Sequence, residues 1–307
     1  MEKGWDVIIA GGGPAGLAAG IYCGRALRKT LVLEKRVFGG QIIFADIIEN
    51  YPGFADPIVP ADLMDQMSKQ CERYGVVLEN DEVLALKQEG DIWRVDVYQN
   101  SYTAKAIIFA AGSTHRSLGV NGEKELLGRG ISVCATCDAP FFKEKKVAVL
   151  GGGDTALSEA LYLSKFASVV YLIHRRDQFR AEKILQERVF KNGKIMIIWD
   201  SEVRAFKGNQ KLETLELRNK KTNEIESMNL DGVFIAIGTV PNTELLKDLV
   251  QLDENGYVVS DMSLRTNCKG LFVAGEVIKG NHRQVAISVG MGVQAALGCE
   301  EYLASFD

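Results

Sequence analysis

The chain has 307 residues, of which 47% are hydrophobic and 25% are charged, which is typical of a folded globular protein rather than a disordered or membrane chain. This length suits two domains, each large enough to bury most of its apolar surface. The net charge is -4 and the basic residues are scattered apart from one cluster, which argues against nucleic acid as the main partner.

The first predicted element is a strand, turn and helix at Asp6–Ala19. Gly11, Gly13 and Gly16 fit the G-x-G-x-x-G pattern, in which absent side chains permit a tight turn and let a pyrophosphate approach the helix N-terminus. Glu34 closes the next β-branched run, 23 positions after Gly11, where a carboxylate can accept hydrogen bonds from ribose hydroxyls. These residues predict a site for an adenine dinucleotide, and a glycine turn that serves only packing is the alternative.

The uncharged stretch Val7–Gly24 could be mistaken for a signal or membrane helix. The five glycines in its first fourteen residues and Pro14 fit the nucleotide-binding turn better. Glu2 and Asp6 also spoil the basic leader of a secretory signal, so we expect a cytoplasmic protein.

An alternating segment follows, with Trp93, Val95 and Val97 on one face of a predicted half-buried antiparallel strand. An apolar strand closed by glycine comes next, at Ala106–Gly112.

Two cysteines then stand three positions apart, at Cys134 and Cys137, with Asp138 directly after them. This spacing can close a small disulfide, and a redox-active pair also needs an acid or base such as Asp138 to move protons. A zinc site is the first alternative, but the other four cysteines are dispersed and the chain has three histidines. The second alternative is an inert buried pair of cysteines. The four dispersed cysteines are expected to be buried as small hydrophobic residues.

The opening pattern recurs at Lys146–Ala160, with Gly151, Gly153 and Ala156 as a G-x-G-x-x-A variant. At the position that matches Glu34, also 23 residues after its first glycine, stands His174, followed by Arg175, Arg176 and Arg180. Guanidinium groups attract a ribose 2′-phosphate that a carboxylate would repel, so this half predicts NADPH rather than NADH. A solvated basic helix start is the alternative.

A second meander, Val203–Met228, and a second closed strand, Gly232–Gly238, repeat the order seen in the first half. The tail holds a strand at Leu271–Glu276 and a predicted helix from Gln284 to Leu303, but no βαβ unit of its own. We therefore expect the tail to complete the first domain, which makes that domain discontinuous. A disulfide pair between two dinucleotide sites predicts an electron route from a nicotinamide through a flavin to the two sulfurs.

Seven ordered segments make the sequence resemble the low-molecular-weight thioredoxin reductases along nearly its whole length. They are GGGPAGLAAGIY, GGQI at Gly39–Ile42, ENYPGF at Glu49–Phe54, CATCD, GGGDTALSEA, HRRDQFRA and RQVA at Arg283–Ala286. The resemblance implies an α/β fold of two Rossmann-like three-layer domains. An FAD domain would take residues 1–113 and 244–307, and an NADPH domain carrying the CxxC would take residues 114–243.

The resemblance also implies the residues that hold each cofactor. FAD would be held by Gly11, Gly13, Pro14, Ala15, Gly16, Glu34, Gly40, Gln41, Asn50, Ala111, Gly112, Gly275, Glu276, Arg283, Gln284 and Val285. NADPH would be held by Gly153, Asp154, Thr155, Ala156, His174, Arg175, Arg176 and Arg180.

For the chemistry, the resemblance implies that Cys137 faces the flavin, that Cys134 attacks the disulfide of thioredoxin, and that Asp138 donates the proton. It further implies a homodimer whose NADPH domain rotates between two poses, and we expect the hinges in linkers near 113–121 and 241–244. Glu276 departs from the family's usual aspartate, which lengthens that side chain by one methylene.

Two other functions stay open on the sequence alone. One is a reductase for a different protein disulfide carrier, and the other is a flavoprotein that binds FAD and a partner without disulfide chemistry.

Overall fold

The computed structural model describes residues 4–44, 47–98, 100–279 and 284–306. The chain divides into two compact units, the first formed by Met1–Thr114 with Val240–Asp307 and the second by His115–Thr239. Both units are α/β, which confirms the predicted fold class.

Seventeen strands and seven α-helices follow one another along the described ranges of the chain. The strands are β1 Gly4–Ala10, β2 Thr30–Leu33, β3 Val77–Glu79, β4 Ala85–Glu89, β5 Ile92–Asp96, β6 Ser101–Phe109, β7 Ser113–His115, β8 Ile131–Ser132, β9 Lys146–Leu150, β10 Val169–Ile173, β11 Ile195–Ile198, β12 Ser201–Lys207, β13 Thr214–Asn219, β14 Ile225–Asn229, β15 Gly232–Ile235, β16 Thr239–Pro241 and β17 Leu271–Val273. The α-helices are α1 Pro14–Arg25, α2 Pro60–Arg73, α3 Glu123–Leu126, α4 Ala135–Asp138, α5 Asp154–Leu163, α6 Lys183–Phe190 and α7 Val285–Leu303. Short 3-10 helices occupy Gly40–Phe44, Ala139–Phe142, Glu244–Leu246, Gly275–Val277 and Ala304–Phe306.

The first unit is built on a sheet of order β3-β2-β1-β6-β5-β4, in which β17 also pairs with β6. Strands β1, β2, β3, β6 and β17 run parallel, and β4 and β5 form the antiparallel meander. The tail therefore joins this unit through β17, whose Phe272 lies beside Ile108 in register.

Alternate residues of β1 feed two apolar clusters in the first unit. Val7 and Ile9 pack with helices α1, α2 and α7, whereas Ile8 packs on the other face with Trp93 of the meander. All four of these side chains are fully buried, and each contributes about 1.5–3 kcal/mol to the free energy of folding. The predicted inward face of the segment that begins at Ile92 is confirmed, because Trp93, Val95 and Val97 are buried.

The second unit repeats this architecture on a parallel sheet of order β11-β10-β9-β15-β8. One face packs against α5 and α6 through Val147 and Val149, and the other packs against the antiparallel sheet β12-β13-β14 through Ala148 and Leu150. Each unit is thus a three-layer arrangement of helices, parallel sheet and antiparallel meander, as predicted.

Two details differ from the sequence-based expectations. Strand β6 begins at Ser101 rather than at Ala106, because its first half pairs with the meander strand β5. Strand β8, a partner of β15, has only two residues, Ile131 and Ser132, and is too short to leave a periodic pattern.

The stretch Val7–Gly24 is divided between β1, the glycine turn and α1. Among the described residues, no helix combines the length and the apolar character that a bilayer crossing requires.

Candidate active site

The first glycine turn connects β1 to α1, and each of its glycines meets a different constraint. Gly11 has a φ of +113°, and a Cβ on it would lie 2.3 Å from the Ala110 carbonyl oxygen. A Cβ on Gly16 would lie 1.8 Å from the Gly11 oxygen, so helix and turn approach too closely for any side chain. Gly13 differs, since the nearest atom to its Cβ position is the Gly40 Cα at 3.8 Å.

Gly13 is the N-cap of α1, and no side chain caps the first turn. The backbone N–H groups of that turn are therefore available, except at Pro14, which has none. The lack of any close contact at the Cβ position of Gly13 and the uncapped amides together fit the pyrophosphate of a dinucleotide.

The contrast between Gly13 and Gly16 gives a testable prediction. Gly16→Ala should lower the free energy of unfolding by at least about 2 kcal/mol, because its Cβ overlaps a backbone oxygen. Gly13→Ala should stay within about 1 kcal/mol of the parent and lose most of its bound flavin, because the added methyl makes only an ordinary van der Waals contact with Gly40 and lies where the pyrophosphate would approach. Chemical denaturation and the flavin-to-protein absorbance ratio measure the two effects. A flavin-replete Gly13→Ala protein would contradict the assignment of this turn.

Glu34 follows β2 and reaches back to the same turn. Its Oε2 accepts a hydrogen bond from the Gly12 N–H at 2.8 Å, and its Oε1 accepts one from the Arg36 N–H at 3.0 Å. The carboxylate is thus held beside the glycines by the backbone, in a position to bind a ribose.

A chain of hydrogen bonds joins three polar side chains of the first unit. The Gln41 amide Nε2 donates to the Ser113 carbonyl oxygen, and the Ser113 hydroxyl donates to Oε2 of Glu276. Gln41 and Glu276 are both predicted FAD residues. Ser113, which is buried, was not predicted to belong to the site, although it directly follows Gly112.

A second polar contact joins two more predicted residues across 234 positions, because Nδ2 of Asn50 donates to Oε1 of Gln284 at 2.9 Å. Gln284 precedes α7, whose first residue is Val285. Arg283, predicted to contact FAD, lies outside the described residues.

Asn242 holds the chain beyond β6 in place and was also missed by the sequence reasoning. Its side-chain Nδ2 donates to the Ala111 oxygen at 2.8 Å, and its N–H donates to the Gly112 oxygen at 3.0 Å. Gly275, after β17, has a φ of +77° and lies near Ala15 of α1. Apart from Asn50, Gln284 and Val285, the predicted FAD residues that the structure describes therefore lie at or next to the carboxyl ends of β1, β2, β6 and β17.

The second glycine turn joins β9 to α5, and each of its three glycines also meets a different constraint. Gly151 has a φ of +152°, and its Cβ position lies 2.3 Å from the Ala236 oxygen. A Cβ on Gly152 would lie 2.4 Å from Cε1 of the His174 ring. Gly153 has no neighbour within 4 Å of its Cβ position and is the uncapped N-cap of α5. This turn too has open space for a phosphate.

His174 occupies the place that Glu34 has in the first unit, but it is buried. Its ring lies 5.8 Å from that of Phe179 and 6.2 Å from that of Trp199. Burial first, and then the positive charges of Arg180 and Arg176, lower the pKa of His174, so the imidazole is neutral at neutral pH. Its contribution in the free protein is to shape the glycine turn rather than to supply charge.

The three arginines around His174 are exposed. The Arg180 N–H donates to the Gly152 oxygen at 2.8 Å, which fixes that residue beside the glycine turn. None of Arg175, Arg176 and Arg180 forms an ion pair with the described part of the chain, so their charges are available to an anionic ligand.

Cys134 and Cys137 form a disulfide, with their Cα atoms 5.4 Å apart. Cys134 is the N-cap of the short helix α4, and its sulfur accepts a hydrogen bond from the Cys137 N–H at 3.2 Å. The hydroxyl of Ser132, two residues earlier, accepts the Cys134 N–H at 3.0 Å. Cys137 is exposed and Cys134 is half-buried.

Asp138 is the last residue of α4 and is half-buried, with its N–H donating to the Cys134 oxygen at 3.3 Å. Behind the same helix lies Glu159 of α5, whose Oε1 accepts the Ala135 N–H at 3.5 Å. Sequence reasoning missed Glu159, since a glutamate in a helical run normally faces solvent.

The dispersed cysteines all belong to the first unit, whereas the redox pair belongs to the second. Cys23, Cys71 and Cys299 are buried and Cys268 is half-buried. Burial raises the pKa of Cys23 and of Cys71 to about 12, so neither is a thiolate at neutral pH. Within the described ranges, no group of three or more His, Cys, Asp or Glu residues has the arrangement of a metal site.

Comparisons with known proteins agree with this geometry. A family described as pyridine nucleotide-disulphide oxidoreductase matches residues 5–292. The thioredoxin reductase of Streptomyces coelicolor is 48% identical over 98% of this chain and 94% of its own length, and that of Treponema pallidum is 42% identical over 99% and 98%. The crystal structure of Lactococcus lactis thioredoxin reductase superposes with a TM-score of 0.96 at 39% identity, covering 98% of this chain and 99% of that one.

Proposed function

The chain belongs to the pyridine nucleotide-disulphide oxidoreductases and, within them, to the thioredoxin reductases, and from this premise we propose that it reduces the disulfide of thioredoxin through Cys134 and Cys137. The observation that carries the proposal is the disulfide at the N-terminus of α4, in a chain with two open glycine turns. FAD, when bound, accepts a hydride from the pyridine nucleotide and supplies two electrons to a disulfide.

The first unit holds the FAD in this proposal. The amides beside Gly13 bind the pyrophosphate, and the Glu34 carboxylate accepts hydrogen bonds from the ribose. Gln41, Ser113 and Glu276 already form a hydrogen-bonded chain that fixes the Gln41 amide, so this side chain is oriented before the flavin binds. Asn50 and Gln284 orient each other in the same way.

The second unit holds NADPH, with the pyrophosphate at Gly153 and the 2′-phosphate among Arg175, Arg176 and Arg180. The exposure of these arginines and their lack of ion pairs with described residues support a phosphate ligand there. The neutral, buried His174 adds shape rather than charge.

Each residue of the CxxC has a separate role in the proposal. Cys134 attacks the thioredoxin disulfide, and its thiolate is stabilised by the hydrogen bond from the Cys137 N–H. Cys137 forms the bond that resolves the mixed disulfide, and Asp138, one residue further, moves the proton. In the proposal the enzyme works in the cytoplasm, and it works as a homodimer, as the resemblance implies.

An anaerobic titration tests the function as a whole. Adding NADPH to the flavin-loaded protein should bleach the flavin absorbance and expose two new thiols per chain. Under turnover, the protein should then reduce oxidised thioredoxin with stoichiometric NADPH consumption. Bleaching without new thiols would support a flavoprotein without disulfide chemistry. Turnover with another protein disulfide carrier but not with thioredoxin would show that this carrier, and not thioredoxin, is the substrate.

A further inference from the structure

The N-terminus of α4, which carries the redox pair, lies directly against a carboxyl group of the second unit. Glu159 lies in the second turn of α5, and its Oε1 accepts the N–H of Ala135, the residue that follows Cys134, at 3.5 Å. The other oxygen, Oε2, is buried and has no hydrogen-bond partner among the described residues. An unpartnered buried carboxylate oxygen is costly, so this arrangement calls for an explanation.

The surroundings of Glu159 supply no charge that compensates its ionised form. Titratable residues on the elements packed against α5, and on α5 itself, are Cys134, Cys137 and Asp138 around α4, Lys183, Glu187 and Arg188 on α6, Lys146 on β9, Tyr171 on β10, and Asp154 and Tyr162. Within the described chain, Glu159 forms no hydrogen bond or ion pair with any of these side chains. Burial raises the pKa of Glu159 to about 7, only partly opposed by the Ala135 N–H.

We propose that Glu159 is a positioning residue that couples reduction of the Cys134–Cys137 disulfide to the uptake of a proton by its own carboxylate. The inference rests on the proposed function of these cysteines as the redox pair. It assigns to Glu159 neither contact with the sulfurs nor proton donation to them. Its effect on Cys134 is exerted through the Ala135 N–H that it holds and through its charge.

The coupled reaction consumes two electrons and two protons. The electrons, supplied by the enzyme's own activity or by an external dithiol, break the bond between the sulfurs and leave a Cys134 thiolate and, with one proton from solvent, a Cys137 thiol. The new negative charge beside Ala135 disfavours a second one on Glu159, so an ionised Glu159 takes up one further proton from solvent. Only one of the two protons therefore resides on sulfur.

The coupling determines how the equilibrium for reduction of the Cys134–Cys137 disulfide changes with pH. Below about pH 6 Glu159 is neutral in both redox states and does not affect the equilibrium. Above its pKa of about 7, an ionised Glu159 opposes the thiolate, so the disulfide becomes harder to reduce than it would be beside a neutral group. A neutral isostere, Glu159→Gln, removes this penalty at all pH values.

Equilibration of the flavin-loaded protein with reduced and oxidised dithiothreitol between pH 6 and pH 8.5 tests the proposal. The redox state of the peptide that contains Cys134 and Cys137 is read by acid quench, alkylation and mass spectrometry. From pH 6 to pH 8.5 the reduction equilibrium constant of the parent protein, divided by that of Glu159→Gln, should fall by at least about threefold. A ratio that stays constant overturns the proposal, whereas a pair that never exchanges with dithiothreitol overturns the proposed function itself.

Two further variants separate charge from structure. Glu159→Asp keeps a carboxylate, so its reduction equilibrium constant relative to that of Glu159→Gln should again fall with pH. Glu187→Gln makes the change from glutamate to glutamine at an exposed residue of α6 and should keep the pH dependence of the parent protein. Infrared difference spectra at pH 7.5 give a direct readout, because reduction should increase the protonated-carboxyl band in the parent but not in Glu159→Gln. An unchanged band in the parent overturns the proposal even if Glu159→Gln folds poorly.

Discussion

Cys137→Ser is expected to lose thioredoxin reduction by at least about 10³-fold while it keeps the flavin and its reduction by NADPH. The disulfide cannot form without the second sulfur, and no other described sulfur pairs with Cys134. Reduction of a small artificial acceptor such as ferricyanide needs no disulfide and should stay near the parent rate. Steady-state assays with thioredoxin and with ferricyanide measure both activities on the same preparation.

The two serine variants should differ in what they trap, although both are inactive. In Cys137→Ser the Cys134 thiol can attack a thioredoxin disulfide, and the resulting mixed disulfide persists because the resolving sulfur is absent. Cys134→Ser should trap no thioredoxin in this way. Non-reducing electrophoresis and mass spectrometry detect the covalent complex, and trapping by Cys134→Ser alone would reverse the roles assigned to the two sulfurs.

A matched control exists in the half-buried Cys268, whose sulfur donates to Oε1 of Gln88 at 3.3 Å. Cys268→Ser can keep that hydrogen bond and makes the same atomic change as the two variants of the redox pair. It should retain parent activity with thioredoxin. A large loss in Cys268→Ser would show that serine substitution at any cysteine damages the enzyme and would weaken the inference from Cys137→Ser.

The features predicted from the sequence are those that depend on backbone geometry. A turn with a positive φ at Gly11, or a Cβ position 1.8 Å from a backbone oxygen at Gly16, tolerates only glycine, so the constraint is visible in the residue type itself. The equal spacing from Gly11 to Glu34 and from Gly151 to His174 was also visible, since each pair spans the helix and the second strand of one strand-helix-strand unit.

Residues whose role depends on a distant partner were not predictable in this way. Ser113 acquires its place from Gln41 and Glu276, which are 72 and 163 positions away, and Asn242 from a carbonyl 131 positions away. Glu159 carries no local signal either, because the N–H that its side chain accepts belongs to Ala135 of α4, 24 positions away. Such contacts are created by the fold and leave no periodic pattern in the sequence.

His174 shows an intermediate case. Its position at the end of β10 was predictable from the spacing, but its burial against Gly152 and Phe179 was not. The matching residue of the first unit, Glu34, reaches its glycine turn through a hydrogen bond to the Gly12 N–H, whereas the imidazole reaches its own turn through packing. In the proposed function, selectivity for NADPH therefore comes mainly from the exposed arginines that follow it.

The double variant Arg175→Ala/Arg176→Ala should raise the KM for NADPH by about 10- to 100-fold and change the KM for NADH by less than about threefold. A hydrogen bond from a charged group contributes about 1.5–3 kcal/mol, and exposure of both guanidinium groups to solvent reduces that gain. Steady-state kinetics with each nucleotide, with ferricyanide as the acceptor, measure the ratio of the KM for NADPH to the KM for NADH without involving Cys134 and Cys137. Arg204→Ala, which removes an exposed arginine from β12 of the same unit, is the control and should leave the ratio unchanged.

Salt dependence adds an independent test of the same electrostatic argument. If the arginines select the 2′-phosphate by charge, the preference of the parent protein for NADPH should decrease with ionic strength, and the smaller preference of the double variant, in which only Arg180 remains, should decrease less. The Arg180 N–H donates to the Gly152 oxygen, so Arg180 stays next to the glycine turn in the double variant, and we expect it to account for the residual preference for NADPH. Equal use of NADH and NADPH by the parent protein would contradict the role of all three arginines. A ribose 2′-phosphate that contacts three guanidinium groups must strengthen the binding of NADPH relative to NADH.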